Sequence, residues 1–222
     1  RTYAGRLAFD RGAYGEAAES LELALDLAPE DHGTLGELAR VRAAEGEVGQ
    51  AIELLERANE LLPEPDHLVL LGDLRTLAGD NEAARADYRA AVELATSDAD
   101  HRRAWARSLA SYHLDHDGDL GVAAELVAEE RAVRHDVGSH DLAAWLAFRQ
   151  GDLVAARDAI DAALALGPTD AVVWYHAAAI SAAEGDRERA AAEIASALRI
   201  NPAFHPLLSI EAQRLATTLG VG

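Results

Sequence analysis

The sequence is distinguished first by the residue types that it lacks. Its 222 residues include no cysteine, which excludes disulfide bonds, thiol catalysis and thiolate metal sites. All 20 basic residues are arginine, so phosphate-binding loops and Schiff bases that depend on lysine are excluded as well. Methionine is also absent and the chain opens on Arg1. We therefore expect that a natural start has been trimmed or processed away.

Positive charge is scarce relative to negative charge. With 39 acidic residues the formal net charge is −19, and the chain offers no basic face for a nucleic-acid backbone or an anionic membrane surface. No apolar run approaches the 18 or more residues of a transmembrane helix. These features predict a soluble protein that binds neither nucleic acid nor membrane, located in the cytoplasm or exported with its signal removed.

The residue types that remain favour helix. Half of the sequence is hydrophobic, which is enough for a packed core. Alanine and leucine dominate, whereas β-branched and aromatic residues are few. Glycine is scarce inside the long stretches of alanine, leucine, glutamate and arginine, and proline is confined to a few places. We predict about three-quarters helix and no strand.

Proline and glycine recur at a fixed interval. The interval is 34 residues in four pairs, namely Pro29 and Pro63, Pro168 and Pro202, Gly12 and Gly46, and Gly151 and Gly185. An alanine follows each turn glycine by five residues, at positions 17, 51, 84, 156 and 190. Small residues allow two helix axes to approach, and glycine allows the positive φ of a tight turn. The interval therefore predicts an array of helix pairs.

A family resemblance follows from the residues at these intervals. One stretch gives Leu35, Leu38, Ala39, Ala51, Leu55, Ala58 and Pro63. Another gives Trp174, Ala177, Ala178, Gly185, Ala190, Ile194, Ala197 and Pro202. This pattern resembles the tetratricopeptide repeat. The resemblance covers nearly the whole chain and implies an all-α, right-handed superhelical solenoid.

The units can be delimited on this pattern. We predict one tetratricopeptide domain over 1–222, with a C-terminal amphipathic capping helix at 205–220. The six helix pairs are predicted at 1–31, 32–64, 65–98, 99–136, 137–170 and 171–204. The fourth departs most from the pattern. Its first helix is predicted to run from near Asp98 to about His116, and Glu130 stands where a small residue is expected.

The resemblance also implies a binding groove lined by the first helices of successive repeats. On the family's repeat positions, Asp141, Trp145, Phe148 and Arg149 face that groove. Aromatic anchors and directional polar groups are typical of binding sites. The predicted peptide- or protein-binding residues are Tyr112, Asp141, Trp145, Phe148, Arg149, Tyr175 and His176. The alternative is that Trp145 and Phe148 fill the interior of the superhelix against the capping helix.

Two functions remain open on this reading. The first is a non-catalytic scaffold that binds a peptide or protein segment in its concave groove. The second is a homo-oligomerising structural or regulatory subunit of a larger enzyme or transport complex. In the family, a clamp of lysine, asparagine and arginine can bind the C-terminal carboxylate of a peptide. This chain is not expected to bind that ligand, because lysine is absent and the clamp positions hold residues such as Arg6 and Glu37.

The sequence contains histidine and carboxylate motifs whose spacing bears on metal binding and catalysis. His113 and His116 have the i, i+3 spacing of a metal pair, but no second ligand group accompanies them in the sequence. The loop 115–119 lacks the glutamate of a calcium loop. The His135-Asp136 and His140-Asp141 pairs lack a nucleophile, which favours helix capping over catalysis. We predict no enzyme activity, no catalytic residues, no metal and no cofactor.

Overall fold

A computed structural model describes residues 1–116 and 118–221. Within these residues the chain forms fourteen α-helices and no strand, which confirms the all-α prediction. The helices are α1 Thr2–Asp10, α2 Tyr14–Leu27, α3 His32–Ala44, α4 Val48–Leu61, α5 Pro65–Leu77, α6 Asn81–Ala95, α7 Ala99–Ala104, α8 Ala106–Asp115, α9 Leu120–Val133, α10 Val137–Arg149, α11 Leu153–Ala165, α12 Ala171–Glu184, α13 Arg187–Ile200 and α14 Leu208–Leu219.

The turn glycines lie where the interval places them. Gly46 and Gly185 both have φ +84°, in the left-handed region that a side chain rarely adopts. Each closes the first helix of a pair, so that the second helix packs back on the first. The pairs α3 with α4, α10 with α11 and α12 with α13 are among the most extensively packed helices in the fold.

The periodic alanines form the helix crossings. Ala51, Ala156 and Ala190 have no exposed surface, and the larger residues that follow them are equally buried. Ile160, for example, lies in one core with Ala144, Val173 and Ile180. Small side chains at the crossing and a branched one beside it produce this close approach.

The fourth pair departs from the others in the structure as it does in the sequence. Asp98 caps α7 by accepting the backbone N–H groups of Asp100 and His101 at 2.9 Å, as a helix start near Asp98 requires. The prediction of one continuous first helix is wrong, because Trp105, with φ −103° and ψ 12°, separates α7 from α8.

Glu130, which replaces the expected small residue, is a buried carboxylate with two cationic partners. Its side chain is 3% exposed. Arg107 donates to its Oε1 from Nε at 2.9 Å, and Arg134 donates to its Oε2 at 2.8 Å. A buried charge requires such partners. The glutamate that replaces a small residue here is therefore accommodated by ion pairs with two arginines rather than by close helix packing.

The chain forms two compact units. Unit 1 comprises Arg1–Leu94 and Asn201–Ile210, and unit 2 comprises Ala95–Ile200 and Glu211–Gly222. In unit 1, buried Asn201 donates to the carbonyl of Phe9 at 2.8 Å. The predicted C-terminal helix is present as α14, which begins three residues later and ends one residue earlier than expected.

Candidate functional site

The predicted site residues lie on three first helices of unit 2, namely α8, α10 and α12. These helices pack side by side, α10 against both neighbours. The carboxylate of Asp136 fixes the start of α10 by accepting the Ser139 backbone N–H at 2.9 Å. The capping interpretation of the His135-Asp136 motif matches this contact.

Trp145 is the centre of an aromatic cluster formed with Phe148, Tyr175 and His176. Its indole ring is stacked on the His176 imidazole, with centroids 4.0 Å apart and planes 13° apart. The indole is also stacked on the Phe148 ring, with centroids 4.8 Å apart and planes 9° apart. The centroid of the Tyr175 ring lies 6.0 Å from that of the indole. Trp145 is 6% exposed. The cluster is therefore a packed structure with only part of its surface at the solvent.

Three carboxylates hold the polar atoms of this aromatic cluster. The Trp145 indole N–H donates to Asp115 Oδ1 at 2.8 Å, and the Tyr175 hydroxyl donates to Glu211 Oε2 at 2.9 Å. Asp141 Oδ1 lies 2.9 Å from His176 Nδ1, with both residues buried. The rings of Trp145, Tyr175 and His176 are thus each fixed in rotation by a hydrogen bond as well as by ring packing.

The electrostatics of the aromatic cluster follow from these partners. Burial alone would disfavour the imidazolium form of His176, but the adjacent Asp141 carboxylate outweighs burial and raises the pKa of His176. Burial, together with the Glu211 carboxylate, raises the pKa of the Tyr175 hydroxyl. The charged form of His176 is therefore more favoured than in a free imidazole, and the stacked indole face adds a cation–π attraction to that form.

The seven predicted residues divide into two groups by exposure. Asp141, Trp145, Tyr175 and His176 are buried. The half-buried residues are Tyr112, Phe148 and Arg149. Phe148 is in contact with the buried group, whereas the ring of Tyr112 packs on His113 and His116 of its own segment, 5.3 and 5.0 Å away.

Sequence reasoning did not identify two of the residues that build this site. Asp115 and Glu211 bind the ring N–H and hydroxyl groups from α8 and α14. Asp115 lies 30 residues before Trp145, four short of the repeat interval, so the interval does not point to it. Glu211 lies outside the repeats, and no sequence signal points to it.

The other histidine motifs do not form a site with the aromatic cluster. His113 Nδ1 accepts the backbone N–H of Asp119 at 3.2 Å, which places it in the turn after α8. His116 Nδ1 lies 3.1 Å from the Tyr112 carbonyl oxygen. Asp117, which belongs to the loop considered for calcium, lies outside the described residues. In the His140-Asp141 motif, the Asp141 carboxylate is hydrogen-bonded to His176 of α12.

Comparisons with known proteins agree on the repeat. Two family models described as tetratricopeptide repeat match the chain, over residues 8–74 and 68–98. No curated protein sequence matches it significantly. None of the described helices is both long and apolar enough to cross a lipid bilayer.

Two solved structures share the fold at low sequence identity. A tetratricopeptide repeat protein from Parabacteroides merdae is 18% identical with a TM-score of 0.59, over 97% of this chain and 82% of that one. A chain of the APC/C hetero-tetramer Cut9-Hcn1 is 18% identical with a TM-score of 0.54, over 93% of this chain. The present chain spans only 39% of that one.

Proposed function

Because this chain is a tetratricopeptide repeat protein, we propose that it is a non-catalytic scaffold that binds a segment of a partner protein. Tetratricopeptide repeats generally mediate protein–protein interaction, and stacked helix pairs offer extended surfaces suited to peptides. We place the binding surface on the face formed by α8, α10 and α12 of unit 2, called here the first-helix face.

The observation that carries this proposal is the stacking of half-buried Phe148 on buried Trp145. A ring that is already held in place loses little conformational entropy when a partner packs on it. Arg149 is the half-buried last residue of α10, and its guanidinium is of the kind that binds a carboxylate through two hydrogen bonds. Tyr112 contributes a second half-buried ring on α8.

The buried members of the predicted set have a different part in this proposal. Asp141, Trp145, Tyr175 and His176 hold the first-helix face in one conformation, and they touch the partner at most along their edges. Replacing Trp145 with alanine would cost about 3–5 kcal/mol of stability, as expected for a buried tryptophan. Such a loss would obscure any change in binding, so the test uses the half-buried residues.

The experiment begins with a phage-displayed random peptide library selected on the purified protein. The affinity of selected peptides is then measured by fluorescence anisotropy for the unaltered chain, Phe148→Ala, Arg149→Ala and a control, Val154→Ala. Val154 lies on α11 and is 75% exposed. We expect Phe148→Ala to weaken binding about tenfold or more, equivalent to about 1.4 kcal/mol. The control should stay within about twofold.

Circular dichroism melting curves of all variants verify that a loss of binding is not a loss of folding. Failure to select any peptide, or selected peptides that bind equally to Phe148→Ala and Arg149→Ala, would contradict the proposed surface. Peptides that are sensitive to Val154→Ala would place the binding surface on the second helices.

A further inference from the structure

Two histidines and a glutamate from neighbouring repeats meet in unit 1. His32 is the first residue of α3, Glu64 immediately precedes α5, and His67 lies in the first turn of α5. One nitrogen of each ring and one carboxylate oxygen lie within 4.8 Å of one another. Within residues 1–116 and 118–221 this is the one group of three or more potential metal ligands.

The distances between these side chains suit a shared ion better than direct hydrogen bonds. Glu64 Oε1 is 3.7 Å from His32 Nδ1, and Glu64 Oε2 is 3.6 Å from His67 Nε2. Both separations exceed a normal N–H···O hydrogen bond. Two ligands of one tetrahedral zinc ion lie about 3.3 Å apart, given bond lengths near 2.0–2.1 Å. The two Glu64 separations are within a few tenths of an ångström of that value, and the three ligand atoms as a group lie within 4.8 Å of one another.

His32 also has unused capacity to bind. The Nδ1 atom of His32, which is the nitrogen nearest Glu64, is buried and has no hydrogen-bond partner among the described residues. The Glu64 side chain makes no capping bond to its own helix, although it occupies the N-cap position. Unsatisfied buried polar atoms are costly, and those in native proteins call for an explanation such as a bound ion.

The surroundings favour a cation and restrict its type. The carboxylates of Glu64, Asp66 and Glu37 all act on the His67 ring, so the local field is negative. Two imidazoles and one carboxylate are a donor set for zinc-class ions, whereas magnesium and calcium prefer oxygen alone. The side chains are 12% to 30% exposed, which leaves access for the ion and a water ligand.

The backbone fixes one of the rings. A methyl group at Gly36 would overlap the imidazole of His67, so the ring packs directly on α3. An ion bound by His32 and His67 would then join α3 to α5, the first helices of two successive repeats. We propose that His32, Glu64 and His67 bind one divalent transition-metal ion of the zinc class, which clamps the second repeat to the third.

The test uses the full chain, stripped of metal by chelator and titrated with Zn²⁺ in a calorimeter. We expect one tight site, whose affinity falls about tenfold or more in each of His32→Gln, Glu64→Gln and His67→Gln. The matched control is His101→Gln. Asp98 and His101 have the same acid–histidine spacing at a helix start, but they belong to no group of three ligands. The control should retain the affinity of the unaltered chain.

A second measurement needs no variant and remains informative where one fails to fold. In ¹H–¹⁵N spectra of the imidazole nitrogens, one equivalent of Zn²⁺ should shift the signals of two histidines, His32 and His67. Absence of binding, equal affinity in the three variants and the control, or shifts confined to the other histidines would overturn the proposal. Because the site lies in unit 1, these outcomes are independent of partner binding by the first-helix face.

Discussion

The Asp141–His176 pair couples the stability of unit 2 to pH. The Asp141 carboxylate raises the pKa of His176 above the unfolded value near 6.5, against the effect of burial. The folded state therefore binds the proton more tightly than the unfolded state. The resulting stabilisation is complete below the unfolded pKa and is lost as pH rises through the folded pKa.

We predict that the free energy of unfolding of the unaltered chain exceeds that of His176→Gln most at low pH. The difference should shrink as pH rises above 6.5, because the unaltered histidine then loses its charge and its attraction to Asp141. Urea denaturation between about pH 5 and pH 9 measures both proteins under the same conditions. A difference that is constant with pH would show that folding does not change the pKa of His176, and one that grows with pH would show that folding lowers it.

Single residues differ in how far the sequence reveals their surroundings. Trp145 and Phe148 could be identified because they break the alanine stripe of α10. Their partners could not, since hydrogen bonds to Asp115 and Glu211 depend on how separate helices are oriented. His32 and His67 were missed for the same reason. They lie 35 residues apart, and the glutamate between them belongs to a connection that no periodicity describes.

A helix crossing has no room for a side chain larger than alanine. Ala190 in α13 has no exposed surface, like Ile194 on the same helix and Ala177 on α12, whereas Ala192 is exposed. We predict that Ala190→Leu destabilises the protein by about 1–3 kcal/mol, because overpacking forces the helices apart.

Ala192→Leu is the matched control, with the same change of volume and helix propensity but no crossing. It should alter the free energy of unfolding by less than about 0.5 kcal/mol. Thermal or urea denaturation of both variants makes the comparison. Equal stability in the two proteins would mean that α13 packs through another face than the one that Ala190 occupies.

The regular helices were predictable because each obeys a local rule. The turn glycines have positive φ, the periodic alanines are buried, and the helix starts near Asp98 and Asp136 are capped as expected. The division of the fourth pair at Trp105 was not predictable in this way. Its residues continue a helical pattern through the break, and both helices retain their backbone hydrogen bonds around it.

The segment Asn201–Ile210 belongs to unit 1 although it follows the last repeat of unit 2. Asn201 is 1% exposed, donates to the Phe9 carbonyl and accepts the Tyr14 hydroxyl. His205 lies 3.4 Å from the buried carboxylate of Asp73 in the same unit. Residues separated by 192 positions are thus bonded directly, which the repeat interval alone did not predict.

We predict that Asn201→Ala destabilises the protein by about 2 kcal/mol, because it removes two hydrogen bonds, the one to the Phe9 carbonyl and the one from the Tyr14 hydroxyl, at about 1 kcal/mol each. Hydrogen exchange should quicken in α1 and α2, near the lost bonds, more than in α4. Asn81→Ala, at an exposed asparagine, is the control and should leave the hydrogen-exchange rates of α1 and α2 unchanged. Uniform exchange rates in the two variants would mean that Asn201 does not hold the first pair.

The bond between Asn201 and Phe9 limits how this protein can evolve. Repeat arrays commonly gain or lose units by duplication and deletion, because each repeat contacts its neighbours alone and stability is nearly a sum over them. Here a chain lengthened or shortened by one repeat between residues 9 and 201 must still bring the same two positions together. We therefore expect that loss of a repeat between these residues would cost this bond as well as the contacts of the repeat itself, so that stability is no longer a simple sum over repeats.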